Sequence, residues 1–124
     1  ASVGIDEDLA PTWFPEGFVA EDPDILMTKL NDRVYVILTD ENGNFINVAI
    51  AQYRSPEYLE VIDFEIKTNS VQQYSNRTQT FYLFSNGGTV TATWADGLLM
   101  EQISGDISEE DVKLIIDSIG GSKN

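Results

Sequence analysis

An apolar stripe near the C-terminus decides which architectures are open to this chain. Val112, Ile115, Ile116 and Ile119 recur at the i, i+3, i+4, i+7 spacing that lines up one face of an α-helix, and that face has to be covered. The ends of the helix are marked as well. Ser108 is placed to cap the first turn, Asp111 three residues on offers a short version of the capping-box carboxylate, and Ile107 and Val112 fall at the hydrophobic-staple positions. Glu109, Glu110 and Asp111 put negative charge at the positive end of the helix dipole, Glu109 stands four residues ahead of Lys113, and Gly120-Gly121 closes the run. A helix over about 108–119 is predicted, and it needs a partner layer.

That layer is a β-sheet, because the chain ahead of the helix reads as strands and turns. Arg33 to Thr39 and Phe45 to Tyr53 are dense in β-branched and aromatic residues, and Asp40-Glu41-Asn42-Gly43-Asn44 between them has hairpin chemistry. The first of these strands is apolar on both faces, Tyr35 and Ile37 against Val34, Val36 and Leu38, which predicts a central position. The second sets Ile46, Val48 and Ile50 on one face. Val61 to Lys67 alternates Ile62, Phe64 and Ile66 with Asp63, Glu65 and Lys67, the pattern of a strand with one wet side. Thr80 to Phe84 and Thr89 to Trp94 flank a Ser85-Asn86-Gly87-Gly88 turn, and Ala95-Asp96-Gly97 leads into Leu98 to Ile103. Shorter signals are a strand at Val19 to Glu21 broken by Asp22-Pro23-Asp24, a helical turn over 57–60, and a strand or loop within Thr68 to Arg77.

At 124 residues one domain suffices, and a chain of this size buries about two-thirds of the surface its unfolded form exposes. The expected fold is α+β: a single curved antiparallel sheet of about six or seven strands, with the C-terminal helix packed on one face. Residues 1–10 are expected to be a flexible acidic lead-in, 11–121 a single domain and 122–124 a tail.

Composition removes several functions. There are 21 Asp plus Glu against 7 Lys plus Arg, a net charge of −14, so phosphate backbones and anionic headgroups are repelled and nucleic acid is not an expected partner. Histidine and cysteine are both absent, which removes His-dependent serine triads, cysteine proteases and thiolate metal sites. No apolar run much exceeds Val34-Tyr35-Val36-Ile37-Leu38, far short of the roughly 18 residues of a membrane span. A targeting segment is expected to be absent from the chain or already removed, so membrane attachment would come only through a segment missing from this sequence.

Candidate sites each have a plainer reading. Asp40-x-Asn42-x-Asn44 has the opening of a calcium loop, but Gly43 is misplaced for one and Ala51 stands where a bidentate Glu belongs, so a hairpin turn is favoured. Asp6-Glu7-Asp8 and Glu21-Asp22-x-Asp24 offer oxygen ligands for a weakly held divalent ion, but solvated charge is the favoured reading. Asp63 and Glu65 can be paired carboxylates, but alternation already explains them. Asn76-Arg77-Thr78 fits the glycosylation pattern and reads better as a surface turn. Among the aromatics, Trp13, Phe14, Tyr74 and Trp94 are the expected ligand or partner contacts, since rings beside turns supply contact area with a polar handle. No catalytic, cofactor-binding or metal-ligating residue is assigned, and no cofactor is expected.

Taken in order, Phe14-Pro15-Glu16-Gly17-Phe18, the paired hairpins, Trp94-Ala95-Asp96-Gly97 and Ile103-Ser104-Gly105-Asp106-Ile107-Ser108-Glu109-Glu110 leading to Ser118-Ile119 resemble the bacterial domain of unknown function 4367 family, from about Thr12 to Ile119. The resemblance implies the extracytoplasmic part of a membrane-anchored protein of Gram-positive bacteria, a secreted protein or a lipoprotein, sometimes behind an anti-sigma segment that this chain lacks. It carries no catalytic residues. The expected function is therefore a non-enzymatic extracytoplasmic binding or sensing domain whose partner is a protein, a peptide or an envelope component. The competing readings are a small secreted hydrolase using carboxylates or a Ser-Lys arrangement, and a carrier of an apolar ligand between sheet and helix.

Overall fold

The computed structural model describes residues 11–29, 31–55, 57, 72–75, 80–96 and 98–119. Eight strands are present among them: β1 (Val19–Ala20), β2 (Asp24–Met27), β3 (Asn31–Thr39), β4 (Phe45–Tyr53), β5 (Gln72–Ser75), β6 (Thr80–Asn86), β7 (Thr89–Asp96) and β8 (Leu99–Gly105). The helix α1 (Glu109–Asp117) follows. All strands belong to one open sheet in the order β1-β3-β4-β8-β7-β6-β5, with β2 also on the outer side of β3. Every pairing is antiparallel. The α+β architecture expected from the sequence is the one found.

Turn chemistry sets the hairpins. Asp40 Oδ1 accepts from the amides of Asn42 and Asn44 at 2.9 and 2.8 Å, and Oδ2 accepts from Asn44 Nδ2 at 2.8 Å. These bonds, led by the Asn44 side chain, hold the Asp40 carboxyl below its ordinary range. Its oxygens are engaged in the turn. Between β6 and β7 the chain reverses through Gly87 and Gly88, both at positive φ (60° and 87°), as a two-residue primed turn requires.

The edge beside β3 is irregular. Val19 faces Thr39 but Asp24 faces Tyr35, so the register slips by one and Glu21 and Asp22 together oppose Ile37, whose carbonyl accepts from the Glu21 amide at 2.9 Å. Such a bulge is where an edge strand tolerates proline, and Pro23 follows at once. The composition of β3 predicted a central strand, yet it lies next to the edge, with Ile37 exposed and Tyr35 half-buried. The central places belong to β4 and β8.

Strand β8, the last strand among the described residues, fits between β4 and β7, with Val48 and Ala92 on either side of Ile103. Gly105 is required at its end, because a Cβ there would stand 2.5 Å from the Phe45 carbonyl oxygen. One face of the sheet carries Ile46, Val48, Leu83, Phe81 and Ile103 against Val112, Ile115 and Ile116 of α1, all buried in one cluster. Each of the larger side chains contributes roughly 1.5–3 kcal/mol by leaving water. The helix starts as expected, with Ser108 Oγ accepting from the Asp111 amide at 3.1 Å. It ends in a tight turn at Ser118, whose amide donates to the Ile115 carbonyl. The predicted strand at Val61 to Lys67, the helical turn beyond Glu57, Gly120-Gly121, the lead-in and the tail lie outside the described residues.

Candidate functional site

The four aromatic candidates do not share one environment. Phe14, Tyr74 and Trp94 are partly buried and pack on the central cluster. Trp94 stacks on Phe81 with centroids 6.4 Å apart. Trp13 is the exposed one. Its amide and that of Thr12 both donate to Ser118 Oγ at 3.0 Å, and Thr12 Oγ1 donates to the Ser118 carbonyl at 2.9 Å. The N-terminal segment is thereby fastened to the C-terminal end of α1.

Tyr74 belongs to a seam between β5 and the helix. Its hydroxyl donates to the Asp117 carboxylate at 2.8–2.9 Å, Lys113 Nζ lies 5.4 Å from its ring centroid, and Gln72 Nε2 donates to Glu109 at 2.5 Å. Glu109, Lys113 and Asp117 are four residues apart and so face the same way. Burial, then the hydrogen bond to Asp117 and its charge, raises the Tyr74 pKa. The β5 side chains on this face are tied to the helix.

A buried carboxyl that the aromatic pattern missed lies in the same face. Glu101 stands between Ile50 on β4 and Trp94 on β7, is 0% exposed, and neither carboxylate oxygen has a hydrogen-bond partner. Burial alone raises its pKa to about 8, so at neutral pH the group is a neutral acid. Gln52, opposite Leu99 and therefore diagonal to Glu101, also has a buried unpartnered Oε1. Farther along this row Asp32 faces Gln52 and receives two bonds from the Arg54 guanidinium, which also donates to the Thr28 carbonyl at 2.8 Å. Asp32 is a paired carboxylate and Glu101 an isolated one. Sealed from solvent, Glu101 has no access to a substrate arriving from outside.

The opposite edge is apolar, and among the described residues no strand pairs with the outer side of β2. Of the seven large hydrophobic side chains exposed among the described residues, Val19, Ile25, Leu26, Met27 and Ile37 all lie on β1, β2 or β3, with Met27 at 63%. The Thr28 amide donates to the Asn31 carbonyl, and antiparallel pairs alternate between bonded and non-bonded. Counting along the register from that pair, Ile25 and Met27 sit at non-bonded places opposite Val34 and Asp32. Their backbone N–H and C=O groups therefore point away from β3.

The sequence model of a family described as a domain of unknown function, DUF4367, matches residues 8–119. The chain belongs to the DUF4367 family. No curated protein matches it. The match spans every strand of the DUF4367 domain and its helix, so the open β2 edge and the buried Glu101 both lie inside the family unit. Among the described residues of this DUF4367 domain, no helix is long and apolar enough to cross a membrane, and no three of Asp, Glu, His or Cys are placed to hold a metal ion. The Asp63 and Glu65 pair, Asp6-Glu7-Asp8 and Asn76-Arg77-Thr78 lie outside the described residues. A signal for Glu101 was present in the sequence: alternation puts it in phase with Leu99 and Ile103, on the side that faces inward.

Proposed function

We propose that this DUF4367 domain is a non-enzymatic binding or sensing module of a membrane-tethered or secreted protein, acting outside the cytoplasm by contact with a protein, peptide or envelope component. The observation that carries the reading is the concentration of exposed apolar side chains on the β1, β2 and β3 edge, while the far edge is engaged by α1. Clustered apolar exposure marks interaction surfaces more often than chance. Ile46, Phe81, Ile103 and Ile115 are fully buried and pack in one cluster between sheet and helix, which favours contact at the surface over carriage of an apolar ligand inside. The extracytoplasmic placement rests on the resemblance of the sequence to membrane-anchored and secreted members of the family.

Two measurements test this. Purified protein incubated with a panel of ester, peptide and glycoside substrates is expected to give no turnover above buffer; reproducible turnover of any of them would establish the hydrolase reading instead. Protease added to intact cells producing the natural full-length protein should digest this domain. Protection of the domain until the cells are lysed would place it inside.

A further inference from the structure

Among the exposed acidic groups, the buried polar atoms and the open edge, the edge carries the most. Strand β2 presents two things together: the outward backbone groups of Ile25 and Met27, and side chains that are themselves exposed. An unpaired edge of this kind adds a strand readily unless it is blunted. On β1 it is blunted, since the bulge at Glu21 and Asp22 and the missing amide of Pro23 interrupt any continuous ladder. On β2 it is not.

Charge then selects the occupant. Glu21, Asp22 and Asp24 are exposed at the start of β2, with Lys29 at the far turn. Ile25 and Met27 share the face that bears Val34, while Asp24 and Leu26 share the other with Tyr35 and Arg33. A second copy of this chain would bring a further net charge of −14 against this edge, and that long-range repulsion opposes self-pairing. We infer that β2 is a docking edge for an extended segment of another protein, one that alternates apolar residues with Lys or Arg and pairs by strand addition. The apolar residues lie beside Ile25 and Met27, and the basic ones beside Asp22 and Asp24. Main-chain bonds give such an interface affinity and the alternating side chains give it selectivity.

This inference rests on the binding reading and refines it. The probe is a capped peptide alternating Lys and Val over eight residues, titrated into isotope-labelled protein and followed by amide shifts. Saturable shifts centred on Ile25 and Met27 are expected, with none from the Glu/Val counterpart. Ile25→Pro removes an outward amide while sparing the inward ladder, and should weaken binding about fivefold to tenfold, as loss of one hydrogen bond with its geometry does. If that variant does not fold, the double substitution Asp22→Lys with Asp24→Lys provides the test: it should weaken the Lys/Val peptide and strengthen the Glu/Val one. Shifts centred elsewhere, equal binding of both peptides, or an unaffected folded Ile25→Pro would overturn the inference. So would a concentration-dependent dimer abolished by Ile25→Pro, which would assign the edge to a second copy. Failure here with a silent substrate panel removes only this edge assignment; hydrolysis removes the binding reading itself.

Discussion

Glu101 on β8 lies directly across the ladder from Trp94 on β7, with its carboxyl group enclosed by protein and neither oxygen hydrogen-bonded. The same row continues through Ile50 to Val34, so an acid occupies a position whose two cross-strand neighbours are a ring and an aliphatic side chain. A buried carboxyl without a partner is costly in either protonation state, and far more so when charged.

The pH dependence of stability follows. The folded pKa is raised from 4.5 to about 8, so between those values the folded protein holds a proton that the unfolded chain has released. Stability is then greatest below the unfolded value, falls as pH rises through the window, and levels off above about 8, with a limiting slope of about 1.4 kcal/mol per pH unit. Denaturant unfolding at several pH values should show this decline in the parent protein and a nearly flat line in Glu101→Gln. An equal slope in both would exclude Glu101 as its origin.

Gly105→Ala introduces a methyl group where only 2.5 Å separates it from the Phe45 carbonyl oxygen. The neighbouring backbone has no freedom to yield, because the Phe45 amide donates to Asp106 Oδ1 at 2.8 Å and the Asp106 amide returns to the Phe45 carbonyl at 3.3 Å. A loss of about 1–3 kcal/mol is expected, measurable as a lowered denaturation midpoint with an unchanged denaturant slope.

Ser118→Ala removes one oxygen that receives the amides of Thr12 and Trp13 and donates to the Ile115 carbonyl at 2.7 Å. Global stability should fall by about 1–2 kcal/mol. Release of the N-terminal segment should also shift Trp13 emission to the red, read in a Trp94→Phe background. A stability loss without that shift would mean the segment is held by Phe14 instead.

Arg54→Ala leaves the Asp32 carboxylate, with its side chain only 12% exposed, short of its guanidinium. The expected cost is about 1–3 kcal/mol, and Arg54→Lys should recover only part of it, because an ammonium cannot reach both Asp32 oxygens and the Thr28 carbonyl in the same planar geometry. Thermal melts of the two variants against the parent decide it.

Where local chemistry sets the structure, the sequence was readable. The cap at Ser108, the Val112-Ile115-Ile116 stripe and the glycines of the β6–β7 turn each act within a few residues, and each is found in place. Where structure depends on distant neighbours, it was not. Asp24-Ile25-Leu26-Met27 follows a proline and has no clean alternation; it is a strand because β3 pairs with it. The two apolar faces of β3 pointed to burial, whereas one of them remains partly open beside the edge. The direction of Glu101 could be read from Leu99 and Ile103, but its enclosure needs β4 and β7, which the linear pattern does not join. Ring content identified Trp13, Phe14, Tyr74 and Trp94 as contacts without separating the three that pack on the cluster from the one left outside.

The place of β8 governs how the molecule is made. Synthesis runs from the N-terminus, so β4 and β7 both emerge with a vacant flank, and neither is satisfied until Leu99–Gly105 follows them out. The lid provided by α1 arrives later still. A nascent domain of this design keeps both halves of its sheet open until Leu99–Gly105 appears, and a stop ahead of Leu99 would release two sticky half-sheets in place of a shortened but working domain.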